Sequence, residues 1–227
     1  MEEQGRLYLA TDAQRTSASL PETQLWAVDS RSGAQLWQSI MPGQLINLFL
    51  SRDGSRLYAL TDLSQAVPGN SYGSDVTLLL ALDNNNKGQL LWQRSVNQGL
   101  SLAIFAQEHN GKFYLALERQ DRPQAQLMAL SASDGQPLWQ QRYPGEGVIS
   151  AQPHGTMLYV IVSGSTVLAL DGTSGQLRWR TGFSDNITDL ALMQTNPPQL
   201  YVSTSSGKLA ALDGRSGQLR WSLLLAE

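Results

Sequence analysis

The side chains best suited to chemistry are two histidines and four aspartates, and both sets fall in turns. His109 and His154, the chain's two imidazoles, occupy the segments His109-Asn-Gly111 and His154-Gly155. An imidazole works as a general base or metal ligand only beside suitable partners, and these two belong to different repeats of the chain, so each reads as a solvated turn residue. Asp29, Asp83, Asp171 and Asp213 each stand shortly before a glycine. A carboxylate at that spacing can accept backbone N–H bonds from the residues that follow, while the glycine takes up positive φ without steric cost. Asp-x-x-x-Gly is therefore turn chemistry and not a metal loop. No Gly-x-Ser-x-Gly elbow, phosphate-binding loop, His-Glu-x-x-His or calcium loop occurs. The expectation is a chain with no catalytic, cofactor-binding or metal-binding residue.

The aspartates are part of a larger repeat. Its five copies are Ala27/Asp29/Gly33/Trp37, Ala81/Asp83/Gly88/Trp92, Ala129/Ser131/Gly135/Trp139, Ala169/Asp171/Gly175/Trp179 and Ala211/Asp213/Gly217/Trp221. Upstream of each lies an apolar-aromatic pair: Leu7-Tyr8, Leu57-Tyr58, Phe113-Tyr114, Leu158-Tyr159 and Leu200-Tyr201. A strand-rich period of roughly 40 to 55 residues marks a β-propeller, whose blades cannot bury their faces alone. In the fourth unit Val148–Gln152, Met157–Val162, Val167–Leu170 and Leu177–Trp179 read as four strands joined by short Gly-containing turns, the meander of one blade. Runs such as Leu78–Leu82 are almost continuously apolar, as expected of strands covered on both faces. The fold class is all-β, a β-propeller of five recognisable four-stranded repeats at 1-41, 42-97, 98-144, 145-183 and 184-227 within one domain or propeller segment, 1-227. Trp37, Trp92, Trp139, Trp179 and Trp221 are the expected structural docking residues, their rings filling the gaps between blades.

Ala-x-Asp-x-x-x-Gly-x-x-x-Trp resembles the tryptophan-docking repeat of quinoprotein-type propellers, the repeat also found in the outer-membrane-protein assembly lipoprotein. The resemblance runs from Ala27 to Trp221 and implies the fold more strongly than any activity. Ser131 replaces Asp in the third copy, and the Asn84-Asn-Asn86-Lys87 loop is one residue longer in the second; both read as local turn variants that leave the Trp and Gly untouched. The family also includes enzymes carrying pyrroloquinoline quinone with calcium, in sites stacked by Trp and often by an adjacent cysteine pair. This chain has no cysteine. Its sixth tryptophan, Trp26, stands where Leu80, Met128, Leu168 and Leu209 stand and reads as core, so no cofactor is expected.

Composition narrows the partners. A net charge of −3 with scattered Lys and Arg argues against nucleic acid. No apolar run approaches a membrane span, so no membrane insertion by this segment is expected, and Met1–Gly5 is too polar for a signal peptide. The low charged fraction of 15% fits the exported relatives that the resemblance brings in, and implies an extracytoplasmic location, periplasmic, secreted or surface-anchored.

The strand accounting does not close. The first repeat enters at its second strand, Arg6–Ala10, so the first blade lacks its innermost strand, and the chain ends six residues after Trp221. The expectation is part of a seven- or eight-bladed ring, with self-association if the ring is open; the alternative is a closed five-bladed ring. The loops between second and third strands are short in the last two units but long in the first three, at 12–23, 62–75 and 118–124. Strand direction places all three on one face, which reads as a binding surface for a protein or polymer partner. Arg15, Tyr72, Arg119 and Arg122 are the candidate partner-binding residues, because Tyr and Arg carry much of the energy at interfaces. The functional reading is a non-catalytic scaffold. The alternative is a fragment of a propeller enzyme, either a quinone-dependent dehydrogenase or a carbohydrate-active hydrolase; among the expected channel-lining strands only Asp189 is acidic, where a hydrolase needs a carboxylate pair.

Overall fold

Short turns of Gly, Asp and Ser fold the apolar runs back on one another, and the result in the computed structural model is five antiparallel sheets, each in chain order. The structure describes residues 2–3, 5–12, 21–63, 76–98, 101–119, 124–144, 147–193 and 195–225. The first sheet holds β1 (Glu2–Glu3), β2 (Arg6–Asp12), β3 (Glu22–Asp29) and β4 (Gln35–Pro42). The second holds β5 (Gln44–Leu50), β6 (Arg56–Asp62), β7 (Val76–Asp83) and β8 (Gln89–Gln98). β9 (Ser101–His109), β10 (Lys112–Arg119), β11 (Gln124–Ser131) and β12 (Pro137–Pro144) make the third. β13 (Val148–His154), β14 (Met157–Val162), β15 (Thr166–Asp171) and β16 (Leu177–Gly182) make the fourth, and β17 (Ile187–Met193), β18 (Gln199–Thr204), β19 (Lys208–Asp213) and β20 (Leu219–Leu224) the fifth. These meanders are propeller blades.

The first blade has no full inner strand. Its inner place is taken by the two-residue β1, which pairs Glu2 with Leu7 and Glu3 with Arg6. The corresponding strands β5, β9, β13 and β17 run to seven or nine residues.

The register explains the alanine of the repeat. In every blade it lies directly across from the tryptophan: Ala27 pairs with Trp37, Ala81 with Trp92, Ala129 with Trp139, Ala169 with Trp179 and Ala211 with Trp221. The ladder slips by one residue just after each alanine. A small side chain leaves room for the indole to lean across the strand, and the bulge re-aims it.

Contact density divides the chain into two compact units, Met1–Ala103 with Ser131–Gln136, and Ile104–Leu130 with Pro137–Glu227. In the first, Tyr8, Leu25, Ala27 and Trp37 pack with Leu57, Ala59, Leu80 and Leu82. In the second, Tyr159, Ile161, Val167 and Trp179 pack with Ile187, Leu190, Leu200, Val202 and Leu212.

Burial differs between blades. β6 and β14 are buried along almost their whole length, both faces included. β3 and β18 instead alternate buried and half-buried residues, the pattern of a sheet sealed on one face. Trp26 follows that pattern. Expected in the core, it is only half-buried, because it pairs with Leu9, itself 46% exposed, on the open side of the first blade.

Candidate functional site

The repeated aspartates are committed to their own turns. Asp29 Oδ1 accepts from the backbone N–H of Arg31 at 3.1 Å and Ser32 at 2.7 Å, and from the Ser32 hydroxyl at 2.7 Å. Asp83, Asp171 and Asp213 each accept two backbone N–H bonds in the same way. Where Ser131 stands instead, its hydroxyl lies 2.8 Å from that of Ser133, and the Gly135 N–H still closes the turn on the Ser131 carbonyl at 2.8 Å. Three of these carboxylates, Asp29, Asp171 and Asp213, are held in their ionised form. Arg178, 2.6 Å away, and then the turn N–H groups draw Asp171 down to about 2. Arg220 does the same for Asp213, also to about 2, and Ser32 lowers Asp29. Groups engaged in this way are turn clasps rather than bases.

The turns of the second to fifth repeats are each one half of a joint whose other half is a tyrosine-tryptophan clamp. The ring pairs Tyr8–Trp37, Tyr58–Trp92, Tyr114–Trp139 and Tyr159–Trp179 lie with centroids 5.9–6.2 Å apart and planes tilted 40–50°. Each indole is covered by the turn glycine of the next repeat. A Cβ at Gly88 would lie 2.6 Å from the ring of Trp37, at Gly135 2.5 Å from Trp92, and at Gly175 2.7 Å from Trp139; at Gly217 it would run into Trp179. Only glycine allows that approach, and all four also have positive φ. The residue after the aspartate position supplies the acceptor: Trp92 Nε1 donates to Ala132 O at 3.1 Å, Trp139 to Gly172 O at 3.0 Å and Trp179 to Gly214 O at 3.0 Å. The Tyr114 and Tyr159 hydroxyls donate to the same carbonyls, Gly172 O at 3.1 Å and Gly214 O at 3.0 Å. Burial, with the Asp171 charge nearby, pushes Tyr114 up to about 12, so it keeps the proton it donates.

Two tryptophans depart from the expected pattern. Trp37 is buried but its Nε1 has no acceptor among the described residues. It faces the turn with the extra residue, where the Asn84 carbonyl accepts from Arg6 at 2.9 Å and the Asn84 amide donates to the Tyr8 hydroxyl at 2.7 Å. The insertion therefore does reach the tryptophan, contrary to its reading as a purely local variant. Trp221, expected to dock like the others, is 43% exposed, against 6–8% for the other four. No turn glycine covers it among the described residues.

The candidate partner-binding residues fall outside what the structure describes. Arg15, Tyr72 and Arg122 lie outside the described residues, and Arg119 ends β10 without a described side chain. His109 and His154 each close an inner strand just before the turn. Asp189 on β17 accepts the N–H of Leu190 at 2.8 Å. In the second unit a cleft of about 520 Å³ opens beside His154, Tyr159, Arg178, Asn196 and Arg215. Its guanidinium groups are already engaged, Arg178 with Asp171 at 2.6 Å and Arg215 with Asn196 Oδ1 at 2.7 Å.

The described residues do not fit a quinone-calcium group. Four of the five motif indoles have a face closed by glycine turns, and no three His, Asp or Glu side chains converge as metal ligands among the described residues. Among the described residues no helix is long and apolar enough to cross a membrane.

No curated protein matches this sequence. Among solved structures it is similar to BamB from Moraxella catarrhalis, at 16% identity and a TM-score of 0.51, covering 91% of this chain and 61% of that one. It is similar as well to a europium-containing methanol dehydrogenase, at 13% identity and 0.63, covering 99% and 50%, and to the quinohemoprotein alcohol dehydrogenase of Comamonas testosteroni, at 14% and 0.58, covering 92% and 42%. The chain thus spans less than two thirds of each of these proteins, and the likeness is one of fold. Residues 74–227 match the family described as outer membrane protein assembly factor BamB, and with more than half of its length in that match the chain belongs to this family of PQQ-like propeller repeats.

Proposed function

We propose that this chain is a non-catalytic interaction scaffold that works outside the cytoplasm in the assembly of outer membrane proteins, holding a protein or polymer partner on the face from which its long loops emerge. The family match over residues 74–227 carries this reading, since the family is described by an assembly role. The chemistry of the described residues supports it. The repeated carboxylates and indoles are used in joints between repeats, so what remains for recognition is what differs between them. Ser163–Ser165 and Ser205–Gly207 link second to third strands by three residues, whereas the same link runs over 13–21 in the first blade and 63–75 in the second; in the third it is only 120–123, shorter than the long loop expected at 118–124 because β10 and β11 extend into that segment.

Replacing residues 64–74 by a Ser-Gly turn is expected to leave the melting temperature nearly unchanged, because lengthening or shortening a surface loop costs little. It is expected to remove binding to the partner that the intact protein retains from its own organism's envelope. A partner held equally well by the trimmed protein would place recognition elsewhere, and alcohol oxidation by the chain supplied with quinone and calcium would replace the scaffold reading with an enzymatic one.

A further inference from the structure

Two successive joints inside the second compact unit, between the third and fourth blades and between the fourth and fifth, are finished differently at one end. In the third blade the link from first to second strand is Asn110 and Gly111, and the Asn110 amide reaches across to donate to Gly155 O in the fourth at 3.0 Å. The same position in the fourth blade, directly after the histidine that ends the first strand, is Gly155 itself, with φ 57° against 50° for Asn110. It has no side chain to reach with, and a Cβ there would meet nothing within 4 Å. The fifth blade carries a longer link, 194–198, where the third and fourth use two residues each.

The cleft of about 520 Å³ lies where that bridge is missing, and its size is within the range that holds small ligands. Its charged lining is basic. Arg178 enters from β16 and Arg215 from the turn after β19, with Asn196 and His154 beside them, and no Asp or Glu lines the space. Arg178 precedes the motif tryptophan, a position held by Leu36, Leu91 and Leu138 in the first three blades, so a cation there is not part of the repeat. The bonds of Arg178 to Asp171 at 2.6 Å and of Arg215 to Asn196 Oδ1 at 2.7 Å each occupy one Nη2, and a guanidinium carries several N–H donors. The turn carboxylates Asp171 and Asp213 are held by Arg178 and Arg220, whereas Arg215 pairs with a neutral amide, which leaves its positive charge uncompensated. Met157 and Pro198 add an apolar wall.

We propose that this cleft binds a small organic anion, with its carboxylate or phosphate head group held by Arg215, Arg178 and the Asn196 amide and its apolar part against Met157 and Pro198. Guanidinium groups hold both kinds of oxyanion through charge-assisted hydrogen bonds, and the apolar wall favours a ligand with a hydrocarbon part over the bare ion. In each blade these turns lie at the opposite end of the strands from the links between second and third strands. The site is therefore separate from the partner surface on the loop face.

Calorimetric titration of the full chain with hexanoate, hexyl phosphate, inorganic phosphate and neutral hexanamide tests this. Hexanoate or hexyl phosphate is expected to bind with a Kd under about 10 mM and more tightly than inorganic phosphate or hexanamide, and the stronger of the two identifies the head group. Arg215→Gln is expected to weaken that binding by roughly tenfold or more, as loss of a charge-assisted bond does. Arg178→Leu, a substitution towards the residue of the first three blades, is expected to weaken it as well. Gly155→Asn gives the fourth blade the side chain that bridges the preceding joint, in a backbone conformation that asparagine tolerates, and is expected to abolish binding without lowering the melting temperature. The proposal is overturned if neither organic anion binds, or if hexanamide or inorganic phosphate binds as tightly. Undiminished binding by folded Arg215→Gln, Arg178→Leu and Gly155→Asn overturns it too, since the anion would then sit elsewhere.

Discussion

The fourth and fifth blades carry the same clamp in opposite circumstances. Tyr159 and Trp179 lie 6.0 Å apart and are sealed, with both polar tips on the Gly214 carbonyl. Tyr201 and Trp221 lie 5.9 Å apart and face outward. The ring geometry therefore does not depend on what covers it. It is set inside each blade by the alanine across from the indole and by the bulge beside it. What the neighbouring repeat adds is burial and an acceptor, and those are the sources of stability. A repeat of this type separates shape, which is local, from energy, which comes from its neighbour.

The largest expected effect breaks or upholds that division directly. Trp179→Ala should destabilise the protein by roughly 3–5 kcal/mol, as other large-to-small core substitutions do, while Trp221→Ala should cost less than about 1 kcal/mol. Thermal melts followed by circular dichroism measure both. An unchanged midpoint for Trp179→Ala would show that the covered indole is not a source of stability, and equal losses at the two sites would show that Trp221 is buried in solution.

A smaller effect separates the acceptor from the burial. Tyr159→Phe removes one donor from the Gly214 carbonyl and leaves the Trp179 bond to it in place, so the expected cost is about 0.5–1.5 kcal/mol. Tyr201→Phe removes a bond to Gln199 at a half-buried position and should fall within about 0.5 kcal/mol of the parent. Urea midpoints at constant slope report the difference, and a larger loss for Tyr201→Phe would reverse the assignment of covered and uncovered clamps.

How much of this was legible in the sequence follows the same division. The positions of the indoles, glycines and aspartates could be read because they recur at fixed spacing, and with them the meander; the first blade was read as lacking its innermost strand, and the two-residue β1 that stands there is too short to leave a pattern. The alanine's role was not legible, since only the register places Ala169 opposite Trp179. The missing bond of Trp37 depends on how a turn with one extra residue presents its carbonyl, which spacing does not specify. Trp221 shares its local motif with Trp179, and exposure is a property of the neighbour rather than of the motif. Trp26 reads as core from its alignment with Leu168, yet that alignment carries no information about whether a sheet lies beyond it.

The smallest effect concerns the turns that clasp the indoles. Asp171 and Asp213 shape the turns seated on Trp139 and Trp179, while Asp29 shapes a turn that covers nothing. The folded state holds Asp171 and Asp213 at about 2, below the ordinary value of 3.8, through Arg178 and Arg220 first. A carboxylate with a depressed folded pKa contributes stability that is complete above its unfolded value and is lost as pH falls through the folded one. Stability should therefore decline from about pH 4 towards pH 2. The partner guanidinium of Arg178 is half exposed, so each pair should contribute no more than the ~0.2–1 kcal/mol of surface ion pairs, and salt should reduce it. Asp171→Asn is expected to flatten part of that acid limb, as is Asp213→Asn, because each removes a charge whose turn supports a buried ring. Asp29→Asn should change the limb least, since loosening its turn uncovers no indole. Melting temperatures between pH 2 and pH 5 at low and high salt distinguish the three, and an acid limb as sensitive to Asp29 as to Asp171 would mean that the clasps stabilise their own turns alone and not the joints they close.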